Sequence, residues 1–141
     1  MKLVRKRSTS SEEETIALGR ELAAELPAGA VVLLIGNLGA GKTTLAKGIV
    51  SGLGVAPVEE VASPTFTLIH EYGGGVYHID LYRLDEPREV ESLGLDEIFA
   101  SARCVLIEWG ERFPQLMPTP RWEIRLTRTG DEDREIEVVD K

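Results

Sequence analysis

Apolar residues along this chain follow three different periods, and each period predicts a different kind of element. Val31-Val32-Leu33-Leu34-Ile35 has no polar interruption, as a strand buried on both faces requires, and Cys104-Val105-Leu106-Ile107 repeats the pattern before Glu108. Helical spacing comes next. Ile16, Gly19, Leu22, Ala23 and Leu26 form one stripe. Ser11 and Glu14 ahead of it match a capping box, Glu12–Glu14 suit the positive helix end, and Pro27-Ala28-Gly29 breaks the stripe. Leu45, Ile49 and Leu53, with Ala46 beside the first, predict a second helix ending near Gly52–Gly54. Strict alternation appears in Val76–Tyr82, with Val76, His78, Asp80 and Tyr82 on one face and Tyr77, Ile79 and Leu81 on the other. That segment is the return of a hairpin whose first arm follows Ser63-Pro64-Thr65 and turns at Gly73–Gly75. Trp122–Arg128 and Glu135–Val139 alternate around a Gly130-Asp131 turn. Leu3–Arg7 reads as a short edge strand, and Pro87–Leu93 and Asp96–Ala100 as short helices.

Between the first buried strand and the second helix lies Gly36-Asn37-Leu38-Gly39-Ala40-Gly41-Lys42-Thr43-Thr44, the G-x-x-x-x-G-K-[ST] phosphate-binding loop. Gly36, Gly39 and Gly41 permit backbone angles and close approaches that a Cβ forbids, so that successive N–H groups form an anion nest. The helix starting near Lys42 adds its dipole and free N–H donors. Lys42 brings a point charge for the β- and γ-phosphates, and the Thr43 hydroxyl is placed to ligate Mg²⁺. A plain strand-to-helix turn would not need the Lys-Thr pair. The expected architecture is therefore α/β: a P-loop NTPase-like three-layer fold with a mixed central sheet, an antiparallel insert and an antiparallel C-terminal hairpin, in one domain over 1–141. Ligands in such sheets sit at the carboxyl ends of the strands.

Composition narrows the partners. With 24 acidic and 16 basic residues the net charge is −8, which disfavours a strong direct grip on RNA or DNA. A single cysteine, Cys104, excludes an internal disulfide and is expected to pack as a small apolar group. The basic N-terminus is followed by Ser and Glu rather than an apolar stretch, and no apolar run could span a bilayer, so the expected location is the cytoplasm with no membrane contact.

Three further residues are candidates for chemistry. Glu108 closes a buried strand, where a second carboxylate is needed to hold Mg²⁺, act as base, or both; the alternative is a surface acid at a strand end. Asp80 sits mid-strand, where Asp is disfavoured, and either positions water or metal or forms a salt bridge with Arg83 or a neighbouring strand residue. Thr65, after Pro64, lies in a stiffened loop like the γ-phosphate-sensing segment of nucleotide hydrolases, or in an ordinary turn. His70 and His78 read as solvated or hydrogen-bonded strand histidines, and Trp109 as a packing residue. Arg83 is a surface cation within possible reach of phosphate.

Taken together, GNLGAGKTT, SPTFTL, the HIDLYRL run and the IEW run, in that order and preceded by STSSEEETIALG, resemble the TsaE (YjeE) family. These proteins are the ATPase component of bacterial tRNA threonylcarbamoyladenosine biosynthesis. The resemblance implies ATP·Mg²⁺ binding, slow hydrolysis by the chain alone, and work on a TsaB–TsaD complex that itself carries the tRNA contact. It places Gly36, Asn37, Leu38, Gly39, Ala40, Gly41, Lys42, Thr43 and Thr44 around ATP or ADP. Thr43 and Glu108 would hold Mg²⁺, and Asp80, Glu108 and Lys42 would carry catalysis. Thr65 would belong to the switch-like loop, and Ser10, within Thr9–Ser11, would lie near the adenine. Asn37 stands where the family often has Asp. Two other functions compete: a small-molecule or nucleotide kinase, which would need an arginine-bearing lid, and a non-enzymatic module in which ATP occupancy gates docking. No N-K-x-D motif supports a GTPase.

Overall fold

The computed structural model describes residues 2–141. Seven strands form one sheet: β1 (Lys2–Thr9), β2 (Ala30–Ile35), β3 (Ile69–Gly73), β4 (Val76–Asp80), β5 (Cys104–Glu108), β6 (Trp122–Arg128) and β7 (Arg134–Asp140). Their spatial order is β1-β7-β6-β2-β5-β4-β3. The centre is parallel, with β2 between β5 and β6 and with β4 beside β5. Both flanks are antiparallel: β3 on β4 at one edge, β7 and then β1 beyond β6 at the other. The mixed sheet, antiparallel insert and C-terminal hairpin are as expected.

Alternation along β2 explains the layers. Val32 and Leu34 pack with Leu45, Ala46 and Ile49, while Val31 and Leu33 pack with Val90, Leu95 and Phe113 on the opposite face. The first face is covered by α1 (Glu12–Glu25) and α2 (Lys42–Gly52), the second by the short helices α3 (Pro87–Glu91) and α4 (Leu95–Ser101) and the segment after β5. Burying each of these aliphatic side chains contributes about 1.5–3 kcal/mol. The β6–β7 flank is different. Ile124, Leu126, Ile136 and Val138 face the first layer, while Glu123 and Arg125 lie on the alternate face, as an antiparallel sheet with one polar side allows.

Helices α1 and α2 touch through glycine. A Cβ on Gly48 would lie 2.1 Å from the Ile16 carbonyl oxygen, and one on Gly19 would lie 2.6 Å from that of Leu45. This is why glycine interrupts two apolar stripes. At the start of α1, Ser11 Oγ accepts the Glu14 N–H at 3.1 Å. The Glu14 carboxylate returns to the N–H of Ser10 at 3.0 Å, one residue earlier than the expected capping box. Cys104 is buried as expected, and burial pushes its thiol up to about 12.

Candidate functional site

Three parallel strands deliver their carboxyl ends to one place. Register pairs Leu34 with Glu108 and Glu108 with Asp80, so the two carboxylates sit side by side just beyond where β2 gives way to the 36–41 loop. Glu108 shares a strand face with Cys104 and Leu106, and Asp80 shares one with Val76. These are residues of the core that α1 and α2 cover, so both acids point to the α2 side of the sheet. They are 3% exposed each. Together with Lys42, Thr43, Thr44, Thr65 and Trp109 they line a cleft of about 530 Å³.

The loop is shaped by its glycines. Gly39 and Gly41 have φ of +80° and +100°, which strain any other residue. At Gly36 the reason is space, since a Cβ there would meet the Leu126 carbonyl at 2.7 Å. Leu38, Gly39, Gly41, Thr43 and Thr44 line the cleft, whereas Ala40 turns its methyl into the core and Gly36 and Asn37 are not on the wall. Gly41 caps α2 with no side-chain partner, so the first-turn N–H groups of α2 remain available to an anion. Lys42 is 5% exposed, and its ammonium has no hydrogen-bond partner. It rests over the Trp109 ring, 3.6 Å from the centroid. Burial lowers its pKa, opposed by the charges of Glu108, Glu111 and Asp80.

Asp80 is held as a hydrogen-bond hub rather than an ion pair. Its Oδ2 accepts from Ser63 Oγ at 2.5 Å and from Thr65 Oγ1 at 3.4 Å, and its Oδ1 accepts the Tyr82 N–H at 2.8 Å. Arg83, the alternative partner, instead places its guanidinium 5.1 Å from the Phe66 ring centroid. Thr65 therefore stands beside Asp80, in the loop between α2 and β3. Glu108 Oε2 lies 2.6 Å from Nε2 of His78, which is fully buried. His78 is thus a hydrogen-bonded strand histidine. His70 packs edge-on against Tyr72, ring centroids 4.4 Å apart.

Two outcomes depart from the sequence reading. Ser10 does not line the cleft; its N–H is spent on Glu14, and Glu12 and Thr15 of α1 form that part of the wall instead. Arg134 was not a candidate, yet it lines the cleft, donates from Nη2 to the Gly39 carbonyl at 3.2 Å, and leaves its buried Nε without a partner. Its signal was faint, one basic residue at the start of an alternating strand far from the loop motif. Among the described residues no cluster of three or more His, Cys, Asp or Glu could hold a metal ion by itself. A cation here would take one hydroxyl and one carboxylate from the protein and the rest from ligand and water, as magnesium does.

Comparison with known proteins agrees with this arrangement. A family profile described as Threonylcarbamoyl adenosine biosynthesis protein TsaE matches residues 9–136. The Bacillus subtilis tRNA threonylcarbamoyladenosine biosynthesis protein TsaE is 45% identical over 131 residues, covering 91% of this chain and 80% of that protein. The protein of the same name from Nostoc is 44% identical over 137 residues, covering 92% and 82%. The crystal structure of Bacillus subtilis YdiB superposes with a TM-score of 0.79 at 36% identity, covering 99% of this chain and 88% of that one. With a matching fold, a profile spanning nearly its whole length and close relatives of one name, this chain belongs to the TsaE family of tRNA threonylcarbamoyladenosine biosynthesis proteins.

Proposed function

We propose that this chain binds ATP with Mg²⁺ and hydrolyses it slowly, as the ATPase subunit that acts on a complex of TsaB and TsaD homologues during threonylcarbamoyladenosine modification of tRNA in the cytoplasm. One observation carries the reading. A buried ammonium without a hydrogen-bond partner, Lys42, faces the same cleft as two buried carboxylates on adjacent strand ends. An unpaired buried charge is costly, and a polyphosphate supplies the missing partner.

In this reading the N–H groups of Gly39 and of residues 41–44 bind the phosphates, and Lys42 leaves the Trp109 face to meet the terminal ones. Thr43 and Glu108 would hold Mg²⁺, which would supply Lewis-acid stabilisation of the phosphate charge. Asp80 orients a water whose oxygen bonds to the γ-phosphorus as the bond to the ADP oxygen breaks, and the water's proton leaves with the phosphate released. Ser63 and Thr65 fix Asp80 for that task. Contact with tRNA is left to the partners, in keeping with the net charge of −8.

The test is ATP hydrolysis by the purified chain, alone and with TsaB, TsaD and tRNA. Little turnover alone and a clear rise in the mixture, with modified tRNA accumulating over repeated cycles, is the expected result. No response to those partners would overturn the assembly reading and leave phosphate transfer to a small acceptor as the next reaction to assay.

A further inference from the structure

A line of polar contacts runs away from the cleft into the sheet. His78 Nε2 meets Glu108 Oε2 at 2.6 Å, and His78 Nδ1 meets the Tyr72 hydroxyl at 3.2 Å. A carboxylate only accepts, so the imidazole donates from Nε2 to Glu108, and the Tyr72 hydroxyl is the partner of Nδ1. The line runs from Tyr72 through His78 to Glu108.

We propose that Tyr72 and His78 are positioning residues that fix the Glu108 carboxylate in the cleft. The proposal rests on the ATPase reading of Glu108 and Asp80 given above. Its physical logic is that His78 occupies Oε2 as a hydrogen-bond donor and leaves Oε1 for the cleft that Glu108 lines. Neither positioning group can drift, because His78 is fully buried between β3 and β5 and Tyr72 is braced by His70.

Tyr72→Phe removes one hydroxyl and keeps the ring. With the full chain and its protein partners, it is expected to lower kcat about 10-fold while KM and ATP affinity stay within about twofold. His78→Leu is expected to lose about 100-fold in kcat, and His78→Gln, whose amide can still donate to Glu108, to recover most of it. Melting temperatures of all three separate misfolding from mispositioning. A kcat for Tyr72→Phe equal to wild type, or a loss confined to KM, overturns the proposal. Nitrogen NMR of the His78 ring gives a readout independent of turnover. A neutral ring protonated on Nε2, with an Nδ1 resonance that moves in Tyr72→Phe, supports the hydrogen-bond chain, and the opposite tautomer or an unmoved resonance overturns it. Wild type that gives the expected spectrum but hydrolyses no ATP would overturn the ATPase reading instead.

Discussion

The Lys42 ammonium lies 3.6 Å from the centroid of the Trp109 ring and has no hydrogen-bond partner. Trp109 reaches that position with φ +66°, a backbone conformation that a bulky residue adopts only where its surroundings force it. The aromatic face gives the buried cation a weak partner, worth about 0.5–2 kcal/mol, that a phosphate can displace. Lys42→Ala should therefore weaken ATP binding about ten- to a hundredfold, the value of a charge-assisted hydrogen bond, measured by calorimetry. Trp109 emission should change when ATP binds wild type, and the change should vanish in Lys42→Ala. Because burial lowers the Lys42 pKa from 10.5, ATP affinity should decline at a lower pH than an ordinary lysine would dictate.

Arg134 braces the 36–41 loop from the outside. Its Nη1 is shared among the carbonyls of Gly130, Asp131 and Asp133, and its Nη2 reaches Gly39. The fork ties the C-terminal hairpin to the loop while Nε lies 3.4 Å from where a Gly41 Cβ would stand. Arg134→Ala should weaken nucleotide binding by about 1–1.5 kcal/mol, close to tenfold. Arg134→Lys should not restore it, because an ammonium cannot span two sets of carbonyls. Affinity restored by lysine would reduce Arg134 to a simple point charge.

Asp80 accepts three hydrogen bonds at once, two of them on Oδ2. Asp80→Asn preserves shape and the Tyr82 bond but removes the charge that, under the proposed function, would orient water. ATP affinity should stay within about threefold while turnover with partners falls on the order of 10²-fold. Equal turnover would remove Asp80 from the chemistry and leave it a structural anchor for the 63–65 loop.

Much of this site was legible because it is local in sequence. Gly36–Thr44 is one contiguous loop, and the acids Asp80 and Glu108 each stand out against an apolar strand, so strand type alone aims them at one edge. What sequence did not show is pairwise and long-range. His78 and Glu108 are 30 positions apart and meet because β4 and β5 are in register. Arg134 and Gly39 are 95 positions apart and meet because β6 adds to β2 and turns back through β7. Ser10 stands off the cleft wall, with its N–H taken by Glu14 at the start of α1. Gly48 carries no motif at all, and only the crossing of two helices reveals why it lacks a side chain.

Glu123 makes the polar flank of the sheet a pH-sensitive element. It is 4% exposed, and its carboxylate meets Arg121 and Arg125 at 2.9 Å each and Lys141 at 3.6 Å. Burial alone would raise its pKa, but the hydrogen bonds from Arg125 and Arg121 and the charge of Lys141 outweigh it, so the folded value lies below the ordinary 4.5. The folded chain thus holds that proton less tightly than the unfolded one. The stabilisation is complete above about pH 4.5 and drains away as pH falls through the lower folded value. Glu123→Gln keeps one acceptor and loses the charge, so it should cost about 1–3 kcal/mol at pH 7. Urea unfolding of wild type and Glu123→Gln at pH 7 and at successively lower pH should show the two midpoints converging only below pH 4.5. A constant gap across that range would mean that packing, and not the ion cluster, is what Glu123 contributes.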